Sequence, residues 1–350
     1  MSTNNRVPYG EELKQRFKSV INMLKNDKIS PYPWEDNGSK VFPSCKENIR
    51  IIEETSDYLR RRGDVINTDR VILNYSREVW VSEHRIYGDT LELVSRIMHN
   101  TENLNEDEIV SYIRTDFKYS DSKSIEIYKT IRNIVQASRF MFDGTRTLDM
   151  ELSEEFSNTV HQMITRDIVA PEKCGRLRTT DCQNTDTLYV GHESVRPQLR
   201  SLFEVVNYLI TRCELEENPM DRIVLRIAIG SVFFERFLMI HPYTDGNGRV
   251  ARLLFSHLMR DKRHVLPISL YLPKKGAYKE WDVEQYEKYV LVLRRSRKDP
   301  SVIVRYVVDC MSNHIDDLNQ AFARDSGFYE SHNLDNDFAD VFATRIVHED

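Results

Sequence analysis

Twelve contiguous residues, His241 to Arg252 (HPYTDGNGRVAR), hold every group needed for chemistry at a phosphate. A strongly apolar run, IVLRIAIGSVFFERFLMI, stops at His241-Pro242, because the residue before a proline is pushed out of the α region. A polar loop follows, and a new helix is expected to begin near Gly248. The first N–H groups of such a helix have no partner further back, and the dipole adds positive potential, so this end forms an anion site. Gly246 and Gly248 allow positive φ and a close backbone approach to a ligand. Arg249 and Arg252 stand three apart, so they share a face of the new helix and both reach back toward its start. Two guanidinium forks suit a di- or triphosphate better than a single carboxylate. Asp245 offers one hard oxygen ligand, the usual protein share of a Mg²⁺ site that also uses phosphate oxygens and water. Asn247 can donate its amide to a phosphoryl oxygen, and His241 can act as a general base. Anion cradle, metal ligand and base together equip the loop for in-line displacement at phosphorus. Singly, each has an ordinary reading: a capping His, a Gly-Asn turn, surface arginines. Crowded into one loop between two apolar helices, they are poorly explained that way.

The elements that must hold this loop are mostly helical. Only 12 Gly and 11 Pro in 350 residues favour long helices over many short strands. Helical spacing of apolar residues is expected over residues 11–24, 45–61, 68–81, 90–98, 105–114, 122–141, 154–164, 196–212, 221–240, 250–260, 282–294 and 302–322. Ser153 is placed to cap the helix starting at Glu154, with Glu in its first turn. Residues 29–43, rich in Pro, Gly and Asn, read as an irregular loop. Residues 173–190 break the helical period with Gly175 and repeated Thr, and predict a short β-hairpin or an irregular flap. The fold class is therefore mainly α. A helical N-terminal region is expected over 1–121, a catalytic domain over 122–307, and a C-terminal helix with a polar tail over 308–350.

Composition excludes several function classes. A formal net charge of −6 gives no basic excess for nucleic acid. The five cysteines, Cys45, Cys174, Cys182, Cys213 and Cys310, are odd in number and scattered with no CxxC pair. That argues against a disulfide framework or a zinc site and for reduced thiols. No apolar run approaches the length of a membrane span, and the polar start shows no secretory leader. A cytoplasmic protein is expected, or one delivered into another cell by a route the sequence does not display.

The loop resembles the signature of the Fic (filamentation induced by cAMP) family, H-x-F-x-(D/E)-G-N-G-R-x-x-R. Every fixed position is filled except the third, where Tyr243 stands for Phe. Residues 133–139 (NIVQASR), 156–164 with His161, and 169–178 (VAPEKCGRLR) resemble the family's earlier core helices and the stretch leading into its flap. The resemblance implies the Fic fold, a helical bundle core with a small β-hairpin flap over the active site. It implies a protein adenylyltransferase that moves AMP from ATP to a Ser, Thr or Tyr hydroxyl of a target protein and releases pyrophosphate. His241 would deprotonate that hydroxyl, and Asp245 would bind Mg²⁺. Gly246, Asn247 and Gly248 would form the anion hole, Arg249 would hold the β- and γ-phosphates, and Arg252 the γ-phosphate. Tyr286 and Tyr289 are candidates for the adenine pocket, and the flap within 179–195 would clamp the target by main-chain pairing. Transfer of GMP or UMP, removal of AMP from a modified protein, and a non-catalytic binding module on the same scaffold are the alternatives. Regulation by a homodimer or an antitoxin-like partner stays open. The family's inhibitory helix carries a Glu that pairs with the second motif Arg. The nearest stretch here, 83–88 (EHRIYG), puts Tyr87 at that position, and a neutral phenol cannot form that ion pair. A charge-based brake is therefore expected to be absent.

Overall fold

The computed structural model describes residues 8–26, 29, 50, 68–82, 90–100, 106–142, 147, 149–184, 187–260, 268–270 and 283–325. Within them the helices are α1 (Tyr9–Lys25), α2 (Thr68–Val81), α3 (Thr90–Asn100), α4 (Glu106–Phe117), α5 (Asp121–Phe142), α6 (Glu154–Thr165), α7 (His192–Glu214), α8 (Pro219–Ile240), α9 (Asn247–Met259), α10 (Val283–Ser296) and α11 (Ser301–Asp325). The helix expected over 45–61 lies outside the described residues except for Arg50, as does the 29–43 loop except for Ile29. The 83–88 stretch with Tyr87 and the tail beyond Asp325 also fall outside them.

The centre of the molecule is α8. Asn218 caps it by accepting from the Asp221 N–H at 3.1 Å, and Pro219 fills the first turn, where a missing N–H costs nothing. The helix is apolar nearly all round, and α1, α7, α9 and α11 cover it. A second group of helices, α2, α3, α4 and α6, gathers on α5. Between the two groups, α9 packs on α8, α6, α5 and α2. The helix that opens at the motif loop is therefore buried on several sides, which fixes its N-terminus in space.

Two local details show why the loop is held so firmly. Ser153 caps α6 as its sequence predicts, its Oγ accepting from the Phe156 N–H at 3.0 Å. Gly230 lets α8 approach α9: a Cβ there would stand 2.7 Å from Met259 Sδ and from the Phe255 ring. Gly230→Val should therefore overpack this contact and cost about 1–3 kcal/mol. Thermal unfolding checks this, and an unchanged or raised midpoint would refute the close approach.

The amino-terminal helix is tied in by charge. Arg16 donates to Glu235 through Nε (2.8 Å) and Nη2 (2.5 Å), and also to the Ser296 carbonyl at 2.5 Å. This joins α1, α8 and the end of α10. Burial raises the Glu235 pKa. Among its described residues the expected flap has two two-residue strands, β1 (Gln183–Asn184) and β2 (Thr187–Leu188), antiparallel with Gln183 opposite Leu188. No helix among the described residues is long and apolar enough to cross a membrane.

Candidate active site

His241 ends α8 in the left-handed region, at φ 50° and ψ 61°. Its N–H still closes the last turn onto Phe237 at 2.9 Å. Pro242 excludes the right-handed continuation, and the left-handed alternative costs a non-glycine residue roughly 1–2 kcal/mol. That conformation turns the main chain out of α8 at His241. The Tyr189 ring, just after β2, stacks on it with centroids 3.8 Å apart and planes 19° apart.

The main chain around His241 is gripped by Arg178, which is 4% exposed. Its N–H donates to the Pro242 carbonyl at 2.8 Å, and Nε donates to the His241 carbonyl at 2.7 Å. Nη2 donates to Ile240 at 3.2 Å and also to the Val190 carbonyl, while Nη1 donates to Thr180 at 2.8 Å. The sequence shows Arg178 only as the last residue of the stretch leading to the flap. Its burial was not legible there, since a lone Arg between Leu177 and Thr179 reads as surface charge.

The loop itself is closed by Asn247. Its Oδ1 accepts from the Tyr243 N–H at 2.9 Å, and its Nδ2 donates to the Tyr243 carbonyl at 2.8 Å. Both polar ends of the side chain thus brace the loop, and the second N–H of Nδ2 is left for the phosphoryl oxygen expected of it. Its main-chain N–H, with those of Gly248 and Arg249, also faces an anion at the start of α9. The helix begins at Asn247, ahead of the expected start, because Gly246 turns the chain at φ 74°. A Cβ at Gly246 would also stand 3.1 Å from Ile164 Cδ1 and Thr165 Cγ2. Gly248 is an ordinary helical residue, so the positive φ expected of both glycines belongs to Gly246 alone of the two.

Tyr243, where the family signature has Phe, has a made place for its hydroxyl. The hydroxyl lies 2.7 Å from Ser157 Oγ and donates to Asn158 Oδ1 at 3.0 Å. Its ring stacks on His161 at 3.9 Å. His161 Nδ1 accepts from the Gly175 N–H at 2.9 Å, so the proton of the neutral ring sits on Nε2 and is donated to the Asp245 carbonyl at 3.1 Å. Burial pushes the His161 pKa down to about 4, and that of His257 likewise to about 4. A folded pKa below the unfolded value of about 6.5 means the unfolded chain takes up protons first as pH falls. The associated stability is full above pH 6.5 and is lost on going down toward pH 4, by up to about 3 kcal/mol for each histidine. We expect the thermal midpoint to drop across that window and to drop less in His161→Gln. Parallel pH dependence in the two proteins would contradict the assignment.

At the mouth of the loop, Asp245 has 53% of its side chain exposed. Oδ1 accepts from the Gly246 N–H at 2.7 Å, and Oδ2 pairs with Arg249 Nη2 at 3.2 Å. An exposed carboxylate with lone pairs to spare, beside a helix N-terminus, fits a Mg²⁺ held by one protein oxygen together with phosphate oxygens. Arg249 is only 5% exposed, so its charge sits at the floor of the mouth.

Arg252 stands three residues further along α9. It is 2% exposed, donates from Nη1 to the Gly248 carbonyl at 3.2 Å, and stands 4.8 Å from the Tyr289 ring centroid and 5.8 Å from that of Phe234. Both arginines are thus buried, Arg249 against Asp245 at the mouth and Arg252 against the Tyr289 and Phe234 rings, while Arg252 reaches back to Gly248 in the first turn of α9. Tyr289 is a buried ring over Arg252, next to Phe234 and Tyr306. The backbone of Tyr286 belongs to α10; its side chain is outside the described residues.

Residues 151–259 match the sequence profile of the Fic/DOC family. Protein adenylyltransferase fic-1 of Caenorhabditis elegans is 29% identical over 139 residues, 39% of this chain and 25% of that protein. Its namesake in Caenorhabditis briggsae is 32% identical over 92 residues, 25% of this chain and 16% of that protein. Each match thus takes in a quarter or less of the relative's own length. Among solved structures, a fragment of Fic-1 from C. elegans superposes with a TM-score of 0.50 at 21% identity, covering 79% of this chain and 73% of that one. A Fic domain-containing signalling protein from Bacteroides thetaiotaomicron gives 0.53 at 14% identity, covering 82% and 100%. At these identities the superpositions show the fold, which is the mainly helical Fic fold.

Proposed function

Because residues 151–259 form a Fic/DOC-family domain, we propose that the chain is a protein adenylyltransferase that transfers AMP from ATP to a Ser, Thr or Tyr hydroxyl of a target protein. The observation that carries this reading is the convergence at one loop of a half-buried imidazole, a helix N-terminus, a floor guanidinium and an accessible carboxylate. The triphosphate lies across the first N–H groups of α9, with the Arg249 charge beneath its bridging and terminal oxygens. His241 takes the proton from the target hydroxyl, which attacks the α-phosphorus in line while pyrophosphate departs on the opposite side. Charge that builds on the leaving oxygens is met by the α9 N-terminus and Arg249, which are already in place. Asp245 would hold a Mg²⁺ ion, which would supply neutralisation of phosphate charge. The target backbone pairs with the short hairpin around 183–188, which lies next to Tyr189 and hence beside His241.

The test uses the purified full chain, Mg²⁺, a cell lysate as the source of target, and each of four nucleoside triphosphates labelled in turn on the α- or γ-phosphorus. Protein-bound α-label from ATP, without γ-label, is the expected result. Preference for GTP or UTP would make the enzyme a GMP or UMP transferase, and γ-label on protein would make it a kinase. No protein labelling from any triphosphate would sink the enzyme reading.

A further inference from the structure

The grip of Arg178 goes beyond filling a hole. A buried Arg needs acceptors for its fork, and here each acceptor is a main-chain carbonyl from one of two places. Ile240, His241 and, through the Arg178 N–H, Pro242 are the residues that turn out of α8. Thr180 and Val190 flank the hairpin, one before β1 and one after β2. A further bond, Val190 N–H to the Met239 carbonyl at 3.4 Å, ties the outgoing arm to the same turn. The left-handed conformation of His241 is intrinsically unfavourable and persists only while its surroundings hold it. Those surroundings are, in large part, one guanidinium that also holds both hairpin arms.

We infer that Arg178 is a positioning residue that fixes the His241 turn and couples it to the hairpin, so that docking of a target on the hairpin and alignment of the base are one mechanical event. The inference rests on the nucleotide-transfer reading above for its consequence, but the coupling itself is a property of the fold. Arg178 touches neither the phosphate loop N–H groups nor Arg249 in any bond given above, so the nucleotide site should be insensitive to it. Lys cannot replace it, because an ammonium is a point donor without a fork that spans two segments.

The experiment compares the wild type with Arg178→Lys by steady-state transfer kinetics and by amide hydrogen exchange. Misplacing the base by about 1 Å should lower kcat for transfer by about 10²-fold, with KM for ATP within about two-fold of the wild type. Exchange should accelerate together at the amides of Tyr189 and Val190 and at those of Arg178 (Lys in the variant) and Tyr243. An unchanged kcat, a KM for ATP that rises in step with the fall in kcat, or faster exchange at the hairpin alone would overturn the proposal. If Arg178→Lys fails to fold, native-state exchange of the wild type decides: the two groups of amides must open as one unit, and separate opening overturns the coupling. Should the wild type label no protein at all, the transfer reading fails, and the exchange arm still tests the coupling by itself.

Discussion

Arg249→Met should weaken ATP binding and lower AMP transfer by roughly 10²–10³-fold. The charge it removes is almost fully buried, so it acts on the phosphates through little intervening water, where a charge is worth more than at a surface. It also removes the partner that orients Asp245. Met keeps most of the apolar length of the side chain, so the packing of the stem is preserved and the lost charge dominates. Calorimetric ATP titration and steady-state transfer rates read the two effects separately. ATP affinity and rate within a few-fold of the wild type would place Arg249 away from the phosphates.

Asn247→Ala tests the bracing role of the loop asparagine. In the native loop its side chain satisfies both the N–H and the carbonyl of Tyr243, a residue with no exposed surface. Truncation leaves two buried backbone groups without partners, at about 1–3 kcal/mol each. The thermal midpoint should fall, and transfer should fall by at least about 10²-fold as the loop between base and phosphate site loosens. If the Asn247 amide also serves a phosphoryl oxygen, ATP affinity falls together with the midpoint; if it only braces the loop, ATP affinity stays near the wild type. Measuring both on the same variant separates the two roles.

Contiguous features were open to inspection in the sequence, and features built from distant contacts were not. The end of α8 at His241 follows from one local rule about the residue before proline. The anion-binding end of α9, the turn at Gly246 and the exposed carboxylate at Asp245 are likewise fixed within a few residues. The burial of Arg252 depends on rings carried by α8 and α10, which its spacing from Arg249 does not show. The hydroxyl of Tyr243 finds Ser157 86 residues earlier, and Arg178 reaches His241 63 residues later. No pattern along the chain marks such partners. The hairpin was hard to define because its strands are two residues long, too short to show alternation.

The central claim is that the loop from His241 to Arg252 positions a base against the α-phosphate of a bound triphosphate. Its most direct measurement is protein-bound label from α-labelled ATP with Mg²⁺, made on the wild type and on His241→Ala, with ATP affinity determined for both. The account predicts labelling by the wild type, loss of labelling by at least about 10²-fold in the variant, and nearly equal ATP affinities, since His241 serves the incoming hydroxyl and not the nucleotide. Equal labelling by the two proteins would contradict it.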